Sequence, residues 1–244
     1  MKPLKDGTTN LNSNKMTIQK SKPVIVFDVN ETLLDMTPLK KSVNAMLNEE
    51  QGFRIWFGML LHYSTVSNSI NEYHNFTTIA AATLKMAAVS MHKKVTAEEI
   101  KEALSVIKSL QTYPDVIKGL KLLKENGFRL ITLTNSPDSA LKEQLKNSNL
   151  TDYFEHALSI DSIKKYKPEA ETYLWAAKKL AVKPNEMIMI AAHGWDLAGA
   201  AHAGLATGFI AREGQSLYSL SSKPDFEAKD IIAMAEQLVA AYSE

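Results

Sequence analysis

The sequence predicts an α/β fold: a doubly wound parallel sheet with a helical insertion after its first strand. Three observations carry this. Short, unbroken apolar runs alternate with helical patterns, as in strands covered on both faces. Three of the runs end in a polar cluster. Between the first and second runs, residues from about 37 to 112 contain several helical patterns and no convincing strand.

The first run is Val24–Val29, in VIVFDVNETLLD, and it ends in a carboxylate, an amide and a hydroxyl two residues apart: Asp28, Asn30 and Thr32. The second is Leu130–Thr134, the third Met187–Ala192, the fourth Gly204–Ala211, and a weaker one is His156–Ile160. Helices are expected at Pro114–Glu125, which stops at Asn126-Gly127, and at Ser139–Asn147, Glu169–Leu180, Asp196–Ala203 and Ala228–Tyr242. Such alternation makes a doubly wound domain, whose ligands bind beyond the C-terminal strand ends. Asp28, Thr134-Asn135 and His193–Asp196 all sit at such ends. In the insertion, Thr96-Ala97-Glu98-Glu99 reads as a capping box. An insertion after the first strand would stand over the strand tips as a lid.

Composition narrows the function classes. The chain has 244 residues, 45% hydrophobic and 23% charged, with a net charge of +1. That charge leaves no footprint for nucleic acid or an anionic membrane. No apolar run reaches the ~18 residues of a membrane span. There is no Cys, which excludes disulfides, thiolate metal sites and Cys nucleophiles, and fits a cytoplasmic protein. Residues 1–22 are polar and are expected to be disordered. They lack the apolar centre of a signal peptide, and either Met1 or Met16 serves as a start.

Asp28 at a strand tip reads as a nucleophile, a metal ligand or a helix cap. Four segments in order narrow the choice: Asp28-x-Asn30-x-Thr32, Thr134-Asn135, Lys167-Pro168 followed by Tyr173, and His193-Gly194-Trp195-Asp196. This order resembles the haloacid dehalogenase (HAD) superfamily and, within it, the type II L-2-haloacid dehalogenases, over residues 23 to about 240.

The resemblance implies a HAD-like Rossmannoid core of residues 23–36 and 113–244, and a helical cap of residues 37–112. It implies that Asp28 attacks C2 of a small 2-halo acid, displacing halide and forming an ester that water hydrolyses, with no metal cofactor. Thr134 and Asn135 match the pair that binds the substrate. Lys167 matches the lysine that offsets the charge of nucleophile and substrate. Asp196 matches the acid that holds this lysine, Tyr173 a supporting tyrosine, and Trp195 an aromatic wall. Thr32 is expected to hydrogen-bond near the nucleophile. Each has a plainer alternative: a turn for Thr32, core packing for Tyr173 and Trp195, a helix N-cap for Asp196. The family often forms dimers, so a homodimer stays open.

Phosphatases of the superfamily resemble Asp-x-Asp, the second acid serving the leaving group. Asn30 cannot carry that proton, and Asp196 has no acid beside it for a Mg²⁺ site. A divergent Mg²⁺-dependent phosphatase is therefore the disfavoured alternative. Two further departures matter. Type II dehalogenases carry a halide-cradling arginine after a tryptophan on the first cap helix; this chain has Trp56-Phe57, and Arg54 lies about 200° away around the helix. A non-catalytic small-acid-binding homologue is the reading that Phe57 motivates. The family's Ser-x-Asn-x-x-Asp is here Ala191-x-His193-x-x-Asp196. His193 is expected either to act as a general base or simply to hydrogen-bond its neighbours. His62 and His74 have no metal-pair spacing.

Overall fold

The structure, a computed structural model, describes residues 22–243. The expectation for residues 1–22 lies outside these, save for Lys22. Six strands form one parallel sheet in the order β3-β2-β1-β4-β5-β6. They are β1 (Val24–Phe27), β2 (Leu130–Thr134), β3 (His156–Ser159), β4 (Met187–Ala191), β5 (Ala206–Ile210) and β6 (Phe226–Ala228). The order reverses between β1 and β4, where Val24 pairs with Met187 and Phe27 with Ile190. A crevice opens at such a switch point. β1, β2 and β4 are buried along their whole length, as their apolar runs require.

The core helices are α5 (Val116–Glu125), α6 (Asp138–Asn147), α7 (Ala170–Leu180), α8 (Gly194–His202) and α9 (Ile231–Ala241). All five were expected, with starts shifted by one to three residues and ends by at most one. α9 begins at Ile231 rather than Ala228 because Asp230 caps it, accepting from the Ala233 amide at 2.7 Å. Phe226–Ala228, one residue short of that cap, form β6, a short edge strand that the sequence reading did not expect. β1 ends at Phe27, two residues early, because the chain turns at once. Leu33 and Leu34 both donate their amides to the Val29 carbonyl, and Glu31 adopts a positive φ of 61°.

Four helices fill the insertion between β1 and the rest of the core: α1 (Thr37–Leu47), α2 (Gly52–Ile70), α3 (Phe76–Ser90) and α4 (Ala97–Ser105). α4 opens on the expected box, with Thr96 and Glu99 bonding each other's backbone amides. Trp56 anchors α2 to α3 by donating from Nε1 to the Ala80 carbonyl at 2.9 Å. The two connections to the core run side by side. Asp35 donates its amide to Gln111 O, and Tyr113 donates to Leu33 O. Arg212, just after β5, fastens this crossing. It pairs with both oxygens of Asp115, donates twice to the Thr32 carbonyl, and lies 3.9 Å from the Tyr113 ring centroid. Among the described residues, no helix is long and apolar enough to cross a membrane.

Candidate active site

The turn after β1 presents Asp28, whose amide remains tied to Ile190 O of β4 at 3.0 Å. Its side chain is almost fully buried, yet both carboxylate oxygens are engaged. Oδ1 accepts from Lys167 Nζ at 3.0 Å, and Oδ2 accepts from Thr32 Oγ1 at 2.9 Å. His193 Nδ1 lies 3.2 Å from Oδ2, near enough for an ion pair but without the alignment of a good hydrogen bond. Burial alone would raise the Asp28 pKa. The charge of Lys167 overcomes that, with His193 adding to it, and holds the carboxyl well below the usual carboxylate range. Asp28 is therefore ionised at neutral pH. Thr32 does more than shape a turn: its hydroxyl also accepts from the Ala192 amide at 3.0 Å, joining the β1 and β4 tips.

Lys167 is fully buried and bridges two carboxylates, lying 2.6 Å from Asp196 Oδ2 on the far side from Asp28. Its backbone amide donates to Asn135 Oδ1 at 3.0 Å, so the end of β2 fixes the lysine's loop. Gly199 of α8 lets that loop approach: a Cβ there would lie 2.5 Å from Pro168 O. Tyr173 donates to Asp196 Oδ1 at 2.6 Å, so it both packs in the core and holds the acid. Burial and the Asp28 charge push the Asp196 carboxyl up, while Lys167 and Tyr173 pull it back.

His193 sits at the N-cap of α8 but makes no capping bond. Its ring stacks on Trp195 at 5.3 Å and faces Phe57 of the insertion at 6.4 Å. Its Nε2 meets Glu31 Oε2 at 2.8 Å, a partner the sequence reading did not single out. Burial would lower the imidazole pKa, but Asp28 and Glu31 together raise it to about 10. The free protein thus favours the imidazolium form of His193, and the ring bonds a neighbour, one of its two expected roles. Arg54 lies exposed on the outer face of α2 with Gln51 and Ile55, so it does not replace the cradle position at Phe57.

Asn30 is buried. Its amide donates to Ser136 Oγ at 3.1 Å, and its oxygen accepts from Gln144 Nε2 at 2.9 Å. It supports the wall of the site with Ser136 and Gln144, neither foreseen. Thr134 accepts from the Ser136 amide, steadying the same strand end. Among the described residues, the buried Asn135 Nδ2 and Trp195 Nε1 find no hydrogen-bond partner. Next to Asn30, a cavity of about 50 Å³ lies between insertion and core, lined by Trp56, Phe57, Leu60, Leu104 and Ser136.

This constellation can now be set beside known proteins. The family described as haloacid dehalogenase-like hydrolase matches residues 22–204. The chain belongs to this family. Among relatives of this hydrolase is (S)-2-haloacid dehalogenase 4A of Burkholderia cepacia, 31% identical over 191 residues, which are 78% of this chain and 83% of the relative. The L-2-haloacid dehalogenase of Xanthobacter autotrophicus superposes with a TM-score of 0.82 at 19% identity, covering 91% of this chain and 99% of that one. The same protein with chloropropionic acid covalently bound superposes at 0.80, with the same identity and coverage. Each bears out the parallel α/β HAD-like fold.

Proposed function

We propose that this hydrolase is a 2-haloacid dehalogenase of the (S)-specific type II kind. The observation that carries the reading is Asp28: an ionised carboxylate at the β1 tip, held between Lys167, Thr32 and His193. In the first step an Asp28 oxygen attacks C2 of a small 2-halo acid. The C–O bond forms as the carbon–halide bond breaks, and the halide takes the bonding electrons. In the second step water hydrolyses the Asp28 ester, returning the carboxylate and releasing a 2-hydroxy acid and a proton. Lys167 balances the charge of Asp28 and of the incoming substrate carboxylate, and Asp196 with Tyr173 holds Lys167. The free N–H of Asn135, beside the Thr134 strand end, is a ready donor to that carboxylate. The names of the relatives support this substrate class.

On this reading residues 37–112 act as a cap over the core formed by 23–36 and 113–244, in a cytoplasmic enzyme. Light scattering in solution decides between monomer and homodimer. The mechanism is tested by a single turnover of 2-chloropropionate in ¹⁸O water, with mass spectrometry of the Asp28 peptide. Label in the Asp28 carboxylate is expected. Its absence under confirmed halide release would sink the ester mechanism. Phe57 motivates a second reading, a non-catalytic binder of small acids. Saturable binding of haloacids with no halide release would establish it instead.

A further inference from the structure

Glu31 occupies a place in the turn where the backbone favours glycine. Its φ is 61°, a left-handed conformation that disfavours a residue with a Cβ. The side chain held there is largely buried, and its carboxylate meets His193 Nε2 at 2.8 Å. That contact decides how the imidazole presents itself. With Nε2–H donated to Glu31, the nitrogen facing Asp28 is Nδ1, buried and lacking a well-formed hydrogen bond. Trp195 and Phe57 hold the ring on its two sides and carry no charge. The charged groups around the ring are thus Asp28 and Glu31 from the β1 turn, with Lys167 and Asp196 behind Asp28.

We propose that Glu31 is a positioning residue for His193, which takes the proton from water as the Asp28 ester is hydrolysed. The proposal rests on the dehalogenase reading and assigns its second step. While Asp28 is ionised, two carboxylates keep both nitrogens of His193 protonated. Attack on C2 converts Asp28 to a neutral ester and removes one of the two anions. The Nδ1 proton, no longer held from that side, passes to solvent, and Glu31 retains the Nε2 proton. Nδ1 then faces the ester as an acceptor. Water adds to the Asp28 carbonyl carbon. One of its protons goes to Nδ1, the other ends on the product hydroxyl, and the bond between the carbonyl carbon and the product oxygen breaks. Asp28 regains its carboxylate and His193 its imidazolium. One proton is released per halide, as the overall reaction requires. The chemistry resembles other sites in which a carboxylate fixes the tautomer of a catalytic imidazole.

The test separates the two steps. Halide release and hydroxy-acid formation are followed by rapid quench on the full-length protein, with mass spectrometry of the Asp28 peptide. The variants are Glu31→Gln, Glu31→Gly and His193→Gln. Glu31→Gly relieves the backbone but also removes the partner of His193, so a thermal melt of each variant establishes that it is folded at the temperature where its rates are compared. Halide release is expected to fall much less than hydrolysis in each variant, giving a burst of about one equivalent. Hydrolysis should fall by about 10²-fold or more for His193→Gln, the usual scale of general base catalysis. The fall should be about 10-fold or more for both Glu31 variants, with ester accumulating on Asp28. In Glu31→Gln, the pH profile of hydrolysis should also shift, which a purely structural role would not produce. Wild-type turnover with no ester accumulation in any variant, or equal losses in both steps, would overturn the relay alone. A wild type that releases no halide from any haloacid removes the dehalogenase reading, and the relay with it.

Discussion

Lys167 lies closer to Asp196 than to Asp28: 2.6 Å to Asp196 Oδ2 against 3.0 Å to Asp28 Oδ1. All three groups are buried, so the ammonium cannot be removed without stranding two carboxylates away from water. Breaking a buried pair this way costs about 3–5 kcal/mol. Lys167→Met, similar in volume and uncharged, should lower the unfolding free energy by about that amount in urea titrations. It should also abolish halide release at temperatures where the variant remains folded. A Lys167→Met protein as stable as the wild type would show that the carboxylates find other counter-charges or stay protonated.

Tyr173 offers a gentler probe of the same network. Its hydroxyl donates to Asp196 Oδ1 at 2.6 Å while its ring packs in the core. Tyr173→Phe keeps the packing and removes the donor. An unsatisfied buried acceptor costs about 1–3 kcal/mol, and that loss of stability is expected. The rate should fall as well, because Asp196 then holds Lys167 less firmly. An unchanged rate with lowered stability would reduce Tyr173 to a structural role.

His193 makes stability depend on pH in a defined direction. Its pKa is raised from the ordinary 6.5 to about 10 in the folded protein. A raised pKa means that the folded state binds the proton more tightly than the unfolded chain. The stabilisation is complete below about pH 6.5 and is lost as pH rises towards 10. Urea-derived unfolding free energies should therefore decline between pH 7 and 10, and His193→Gln should flatten that decline. Asp28 acts at the other end. Its depressed pKa stabilises the fold above the ordinary carboxylate range, and that contribution is lost on acidification. An equal slope in wild type and His193→Gln from pH 7 to 10 would count against the Asp28–His193–Glu31 arrangement.

The groups at the strand tips were legible because of where they stand. Asp28, Thr134-Asn135 and His193–Asp196 each end an apolar run, and parallel strands bring their C-terminal ends together. Lys167 was legible only through its family resemblance, since nothing local distinguishes it from Lys164 and Lys165. Glu31, Gln144 and Arg212 were not legible at all. Each acts on a partner more than 100 residues away in sequence: Glu31 on His193, Gln144 on Asn30, Arg212 on Thr32. No periodicity encodes such a pairing. Glu31 had one local sign, its place in a tight turn, but its left-handed backbone emerges only from the fold. β6 escaped notice because it is only three residues long, with the exposed Glu227 between Phe226 and Ala228, and so forms no apolar run.

On the dehalogenase reading, we propose that the C2 substituent of the substrate enters the cavity beside Asn30, which then limits its size. Its volume of about 50 Å³ is about a third of the ~150 Å³ void that accepts benzene in a protein core. Its apolar walls, Trp56, Phe57, Leu60 and Leu104, suit a hydrogen or a methyl group on C2 together with the halogen. Haloacetate and 2-halopropionate should therefore be turned over. A 2-halo acid with a butyl or phenyl substituent must displace well-packed side chains, at roughly 1–3 kcal/mol. Its kcat/KM should be lower by about 10-fold or more, a fall of about 1.4 kcal/mol for each factor of ten. Leu60→Ala removes one wall and should recover much of the loss for the longer acids while leaving haloacetate slow or unchanged. Because Leu60 is buried, that variant is expected to lose about 2–5 kcal/mol of stability, so rates must be compared below its unfolding temperature. Equal kcat/KM for haloacetate and the phenyl-substituted acid in the wild type would show that the cap opens beyond this cavity during turnover, and the size limit would fall.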